Sequence, residues 1–257
     1  MSAGERLLDV PKENLSGHTK KLRFLLEHLE DVLRHGPGTA TLLDFGCGNG
    51  SAVSRFLMLP GIRYHGVDVH PASLAHARER YGSPSATFTS EVPEGVVFDV
   101  LVYADILEHL DDPGALLRDH AARLAAGGLL LGSVPNGYGW FENEKRLDRW
   151  LRISAILDLP ARLGRALGRG KPPDPSALPY NAESGHVQFF TRSALERLLD
   201  RAGYDVCDFR NGALAGAPVS ERYLLRGERI ARASARAADA VPYWAASTWL
   251  FAARKRG

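Results

Sequence analysis

Apolar positions recur at helical spacing between Ser16 and His35. Leu22, Leu25, Leu26, Leu29, Val32 and Leu33 form one stripe, with charged residues between them. Gly36-Pro37-Gly38 stops that helix. Ala40 to Phe45 is then a short, mostly apolar run that closes on glycines and reads as a buried strand. Ser51 to Leu59 reads as a helix and Tyr64 to Val69 as a second strand. Pro71 stands in the first turn of a helix that reaches Tyr81-Gly82. Phe98 to Tyr103 is a third strand. Asp112-Pro113 caps and opens a helix ending near Gly127-Gly128, and Leu129 to Val134 is a further strand stopped by Pro135-Asn136-Gly137.

Strands alternating with helices predict an α/β protein with a doubly wound parallel sheet and helices on both faces. The alternation breaks between Trp140 and Glu183, a segment rich in Arg, Pro and Gly. It has an amphipathic stretch near Leu147 to Leu167 and a loop at 171–175. This segment is expected to be an insertion over the carboxyl edge of the sheet. Thr191 to Arg201 is again helical, with Gly203 just past its end. Tyr204 to Phe209 and Thr248 to Ala253 read as late strands, and arginine-rich Ser220 to Ala240 between them as a helix. The expected organisation is a single domain over 1–257. It comprises an N-terminal helix at about 16–36, a core at 38–136, a cap at 137–185, and the rest of the core at 186–257 with a helical insertion at 214–240.

Composition narrows the class. With 45% apolar and 24% charged residues, the chain has the balance of a globular domain, not of a disordered one. A net charge of +2, from 32 basic against 30 acidic residues, leaves no nucleic-acid footprint, so nucleic acid is an unexpected partner. Two cysteines, Cys47 and Cys207, provide neither a disulfide framework nor a zinc spacing, and point to a reducing compartment. The opening residues lack the basic and apolar regions of a signal peptide. No apolar run approaches the ~18 residues of a membrane span. A cytoplasmic protein is expected, and a homodimer is compatible with this reading.

Asp44-Phe45-Gly46-Cys47-Gly48-Asn49-Gly50 is the most informative stretch. Glycines permit a sharp strand-to-helix turn and let a ligand approach the backbone. A nucleotide-type ligand bound there would lie at the carboxyl edge of the sheet. Asp68, at the end of the second strand, is placed to accept hydrogen bonds from both hydroxyls of a ribose. A dinucleotide and S-adenosylmethionine (SAM) both match this outline, and a purely structural turn is the third reading. Asp44 weighs towards SAM: a carboxylate there would repel a pyrophosphate and attract the ammonium and sulfonium of SAM.

A second cluster follows the strand ending at Tyr103. Spacings of three and four put Asp105, Glu108 and His109 on one side of a helical turn. Two carboxylates and an imidazole so placed can bind a divalent metal. A histidine can equally act as a general base, its unperturbed pKa being ~6.5. Purely structural roles are the third option. Tyr138, Trp140 and Phe141, with Tyr180 and Asn181, are candidates for the walls of an acceptor pocket or for the core of a small cap. The arginines between Arg222 and Arg236 read as a solvated helical face.

These stretches resemble the class I SAM-dependent methyltransferases, in the broad group of the ubiquinone-biosynthesis O-methyltransferases. The resemblance rests on LLDFGCGNG (42–50), GVDVHPASLAHAR (66–78), FDVLVYADILEHLDDP (98–113), LAAGGLLLGSVPN (124–136) and HVQFFTRSALERLLDRAGY (186–204). It implies a Rossmann-like, seven-stranded, mostly parallel sheet whose last strand is antiparallel, with SAM as cofactor. Asp44, Gly46, Gly48 and Gly50 would line the methionine end, Asp68 the ribose, and Val69 the adenine. Ser90 or Glu91 would contact the adenine amine. Asp105-Ile106-Leu107-Glu108-His109 is similar to the E-x-x-E-H of those enzymes and of small-RNA 2′-O-methyltransferases, with Asp in place of the first Glu. In the RNA enzymes a later histidine completes a metal site, and His186 stands at that place. The expected function is methyl transfer, mainly to an oxygen of a small molecule such as a sugar, a phenol or a secondary metabolite. A metal-dependent RNA 2′-O-methyltransferase and a non-catalytic SAM-binding module are the alternatives.

Overall fold

The amphipathic start forms helix α1 (Gly17–His35) in the structure, a computed structural model that describes residues 17–159, 178, 185–214 and 228–257. Then follow β1 (Ala40–Phe45), α2 (Ser54–Leu57), β2 (Ile62–Val67), α3 (Pro71–Tyr81), β3 (Ala86–Thr89) and β4 (Phe98–Ala104). A 3₁₀ turn (Leu107–His109) precedes α4 (Pro113–Arg123) and the long β5 (Leu124–Pro135). Helices α5 (Trp140–Leu151) and α6 (Ile153–Leu157) occupy the first part of the expected cap. The chain ends its core with α7 (Arg192–Arg201), β6 (Tyr204–Asn211), α8 (Glu228–Ala240) and β7 (Thr248–Lys255).

The strands form one seven-stranded sheet in the order β3-β2-β1-β4-β5-β7-β6. Pairs among β1 to β5 are parallel, and β7 runs antiparallel to both β5 and β6. The central strands are buried on both faces, so alternate residues feed two separate cores. Leu42, Val100, Val102, Leu129 and Leu131 pack on one face with Leu25, Leu26 and Leu29 of α1 and Leu74 and Ala77 of α3. Leu43, Leu101, Tyr103 and Leu130 pack on the other with Leu117 of α4 and Leu195 and Leu199 of α7. All carboxyl ends of β1 to β5 therefore open on one edge, where the loops that follow them meet.

Several elements differ from the sequence reading: β2 runs over Ile62–Val67 and not Tyr64 to Val69, and the helix opened by Pro113 ends at Arg123, ahead of the two glycines. The helix expected over Ser51 to Leu59 shrinks to Ser54–Leu57. The Asn49 side chain accepts the N–H and hydroxyl of Ser51 and holds a turn ahead of it, while Pro60 follows. Strand β3 is added at Ala86–Thr89. Its four residues are too few for alternation to stand out, although Ala86 and Phe88 point inward. Strand β5 begins at Leu124, before the two glycines, because Gly127 takes a left-handed φ of 69° inside an irregular start.

Tyr180, Asn181 and Arg222, and the far half of the amphipathic stretch, lie outside the described residues. Among the described residues no helix is long and apolar enough to cross a membrane.

Candidate functional site at the carboxyl edge

The loop after β1 is built from left-handed backbone. Gly46, Gly48 and Gly50 have φ of 83°, 56° and 80°. At Gly46 the requirement is double, because a Cβ there would also fall inside the Ile106 side chain. The loop is tied to β2 by the N–H groups of Gly46 and Cys47, which both donate to the Val67 carbonyl at 2.7 and 3.0 Å. Gly48 N–H donates to Asp68 Oδ2 at 2.8 Å, and His70 N–H to Oδ1 at 2.8 Å. An ionised carboxylate offers about four acceptor sites, so these two bonds orient Asp68 and leave capacity for a diol. Val69, beside it, is 77% exposed. Asp68 N–H also donates to the Thr89 carbonyl at 3.2 Å, which sets the end of β3 alongside, with Ser90 and Glu91 exposed. Glycine backbone, an oriented carboxylate and an exposed apolar residue in sequence around one edge fit a nucleoside carrying a free ribose.

Asp44 sits beneath this loop. It is 2% exposed, and its Oδ2 accepts from Tyr64 Oη at 2.6 Å and Ser54 Oγ at 2.7 Å. Burial raises the pKa of its carboxyl, and the two hydroxyls work against that rise. The residue thus ties β1 to β2 and α2 from below the glycines.

The second cluster departs from the spacing argument. Asp105 is not on a helical turn with Glu108 and His109, because the 3₁₀ turn starts only at Leu107. Asp105 itself has a left-handed φ of 57°, a costly conformation for a residue with a side chain. Its neighbours hold it there. Ser133 Oγ donates to Oδ1 at 2.6 Å, Lys21 of α1 pairs with Oδ2, and Asp105 N–H donates to the Ser133 carbonyl. Burial alone would raise this carboxyl, but the Lys21 ammonium and the Ser133 hydroxyl bring it below the ordinary range.

Glu108, His109 and His186 do come together. One ligating atom from each lies within 4.8 Å of the others. The two imidazole rings meet edge to face with centroids 4.8 Å apart. The backbone makes the meeting possible: Val187 and Gln188 N–H both donate to the Glu108 carbonyl, at 2.8 and 3.0 Å. Glu108 is 1% exposed, and its Oε2 is buried without a hydrogen-bond partner. Burial first, then the Asp105 charge, pushes its carboxyl well above the usual range. A buried oxygen with no donor beside two imidazoles is a donor set suited to a divalent cation.

A fourth member was not legible in the sequence. Glu142, in the first turn of α5, is 3% exposed and meets His186 Nδ1 at 2.7 Å. The same helix leaves Trp140, Leu147, Trp150 and Leu151 exposed, so it turns a charged side towards the site. Burial lowers the His186 pKa, and Lys145 adds to the shift.

A family profile described as a methyltransferase domain matches residues 17–208 of this chain. The ubiquinone biosynthesis O-methyltransferase of Methylobacterium sp. (strain 4-46) is 35% identical over 104 residues, which cover 37% of this chain and 41% of that protein. This chain thus spans about two fifths of the length of that curated relative. Among solved structures, an S-adenosylmethionine-dependent methyltransferase from Mesorhizobium loti aligns with a TM-score of 0.54 at 17% identity, over 90% of this chain and 98% of that one. Magnesium protoporphyrin IX methyltransferase from Synechocystis, solved with S-adenosylhomocysteine (SAH) bound, aligns with a TM-score of 0.54 at 13% identity, over 98% of this chain and 92% of that one. At such identities the likeness is one of fold.

Proposed function

Because this chain belongs to the family of methyltransferase domains and has the fold of SAM-dependent methyltransferases, we propose that it transfers a methyl group from SAM to an oxygen of a small molecule. The observation that carries this reading is the convergence of Glu108, His109 and His186 on the edge that holds the glycine loop. Ile106, next in chain to that 3₁₀ turn, packs against Gly46, so the two halves of the site adjoin. An oxygen acceptor is favoured by the O-methyltransferase relative, 35% identical over part of the chain.

Bound SAM supplies a methyl group already activated on a sulfonium. The residues of this chain then have to bind, orient and take a proton. Asp68 receives the ribose hydroxyls, and Gly46, Gly48 and Gly50 let the backbone run close to the methionine end. Asp44, buried beneath the loop, holds it in place through Tyr64 and Ser54. Val69 lies along the adenine, with Ser90 or Glu91 near its amine. Holding an acceptor in line with the methyl carbon is worth roughly 7–11 kcal/mol of the barrier. His109 or His186 accepts the hydroxyl proton, a contribution of about 10²–10⁴-fold. In the alternative arrangement Glu108, His109 and His186 would instead hold a divalent cation, whose Lewis acidity lowers the pKa of a bound hydroxyl. Asp105 is engaged by Lys21 and Ser133 and is left out of that set. Tyr138 is exposed between β5 and α5 and is the candidate wall for an incoming acceptor, whereas Trp140 faces outward.

The test is label transfer from methyl-labelled SAM into phenols, sugars, amines, nucleosides and small RNAs, with and without EDTA. Label in a phenol or sugar hydroxyl is expected, with transfer reduced by EDTA. Label confined to amines or to RNA would overturn the reading of the acceptor. His109→Ala is expected to lower turnover by at least about 10² while SAH affinity stays within about twofold.

A further inference from the structure

Two imidazoles meet in the cluster, and the acceptors facing them fix which nitrogen carries the proton. His109 Nδ1 lies 3.0 Å from the Gly185 carbonyl oxygen. A carbonyl only accepts, so His109 Nδ1 carries a proton, and in the neutral ring Nε2 is the accepting nitrogen. His186 Nδ1 lies 2.7 Å from Glu142 Oε1. A carboxylate likewise only accepts, and Lys145 Nζ, 3.8 Å from the same oxygen, supplies the compensating charge. His186 is therefore in the same tautomer as His109.

We infer that Glu142 is a positioning residue: it holds His186 in the Nδ1–H tautomer and fixes its ring against His109 and Glu108, so that docking of helix α5 sets the chemistry of the cluster. The inference rests on the reading of this cluster as the acceptor site. Three observations support it. Glu142 is nearly fully buried on a helix whose large apolar residues Trp140, Leu147 and Trp150 face outward. Burying a carboxylate in preference to those side chains is unfavourable unless the carboxylate has a specific partner. That partner is His186, reached across 44 positions of sequence. Finally, Glu142 comes from the inserted segment, whereas Glu108 and His109 come from the core, so the contact joins the expected cap to the cluster. A carboxylate behind a ligating or proton-accepting histidine fixes ring orientation and raises its basicity.

The experiment is long-range ¹H–¹⁵N correlation of the histidine rings in the full chain with SAH, for wild type, Glu142→Gln and Glu142→Ala. Wild type is expected to show His186 as the Nδ1–H tautomer. Glu142→Gln, which keeps an acceptor oxygen in place, is expected to retain it. Glu142→Ala is expected to shift His186 towards the Nε2–H form while His109 stays unchanged. Binding of Mn²⁺ alone should weaken by about 10–100-fold in Glu142→Ala and recover at least in part in Glu142→Gln. SAH affinity should stay within about twofold in all three, which shows that the variants fold. An Nε2–H His186 in wild type, or an unchanged tautomer in Glu142→Ala, would overturn the inference. The tautomer decides it whether or not Mn²⁺ binds. Failure of the methyl-transfer reading would show separately, in the label-transfer assay.

Discussion

Asp68 orders the loop by accepting Gly48 and His70 N–H, and under the proposed function its remaining lone pairs take the ribose hydroxyls. Charge-assisted bonds of that kind are worth roughly 1.5–3 kcal/mol each. Asp68→Ala is therefore expected to weaken SAH binding by at least about tenfold, read by calorimetric titration. Unchanged affinity would remove Asp68 from the ribose. At this scale the sequence was informative where chemistry is local. Glycines at alternate positions after a strand, and an acid at the end of the next strand, need nothing distant to be recognised. Glu142 and Lys21 were not legible for the opposite reason. Glu142 reaches His186 over 44 positions and Lys21 reaches Asp105 over 84, and neither belongs to a spacing pattern. Asp105 was misplaced because i, i+3 and i, i+4 spacing assumes a helix, and its backbone is left-handed instead.

Between elements, α4 is joined to the sheet by a buried polar contact. His120 of α4 is 2% exposed and its Nδ1 pairs with Tyr103 Oη of β4. Phe45 packs edge to face on the same imidazole. Burial lowers the His120 pKa to about 4, from 6.5 in an unstructured chain. The unfolded chain therefore binds a proton between those values that the folded chain does not. The stability that His120 contributes is fully present above pH 6.5 and is lost as pH falls towards 4, by up to about 3 kcal/mol. Urea midpoints across that range should fall with acidity in wild type and fall less steeply in His120→Asn. An equally steep fall in both would assign the acid sensitivity to other groups. The elements themselves were legible wherever hydrophobic period and length agreed, as in α1, β1 and β4. Strand β3 was missed because four residues carry too little period, and α2 was overdrawn because the turn that Asn49 makes with Ser51 ahead of it is invisible to periodicity.

Over the whole molecule, the doubly wound sheet follows from the alternation of strand and helix signals. The order of its last two strands does not, since adjacent strand signals leave their pairing open. Strand β7 lies between β5 and β6, and among the described residues β6 has no other strand neighbour. Trp249, Leu250, Phe251, Ala252 and Ala253 are all nearly fully buried. A chain cut after Ser247 is thus expected to lose two strands at once, and with them a cooperative urea transition and SAH binding. A cut chain that unfolds at the midpoint of the intact one would show the sheet to be independent of β7. The arrangement also imposes a timetable on synthesis. As the chain leaves the ribosome, β2 to β5 each find a partner strand already made, so the cofactor edge can assemble early. Strand β6 emerges without a place to go, and waits, its edge open to other nascent chains, until residues 248–255 have followed it out.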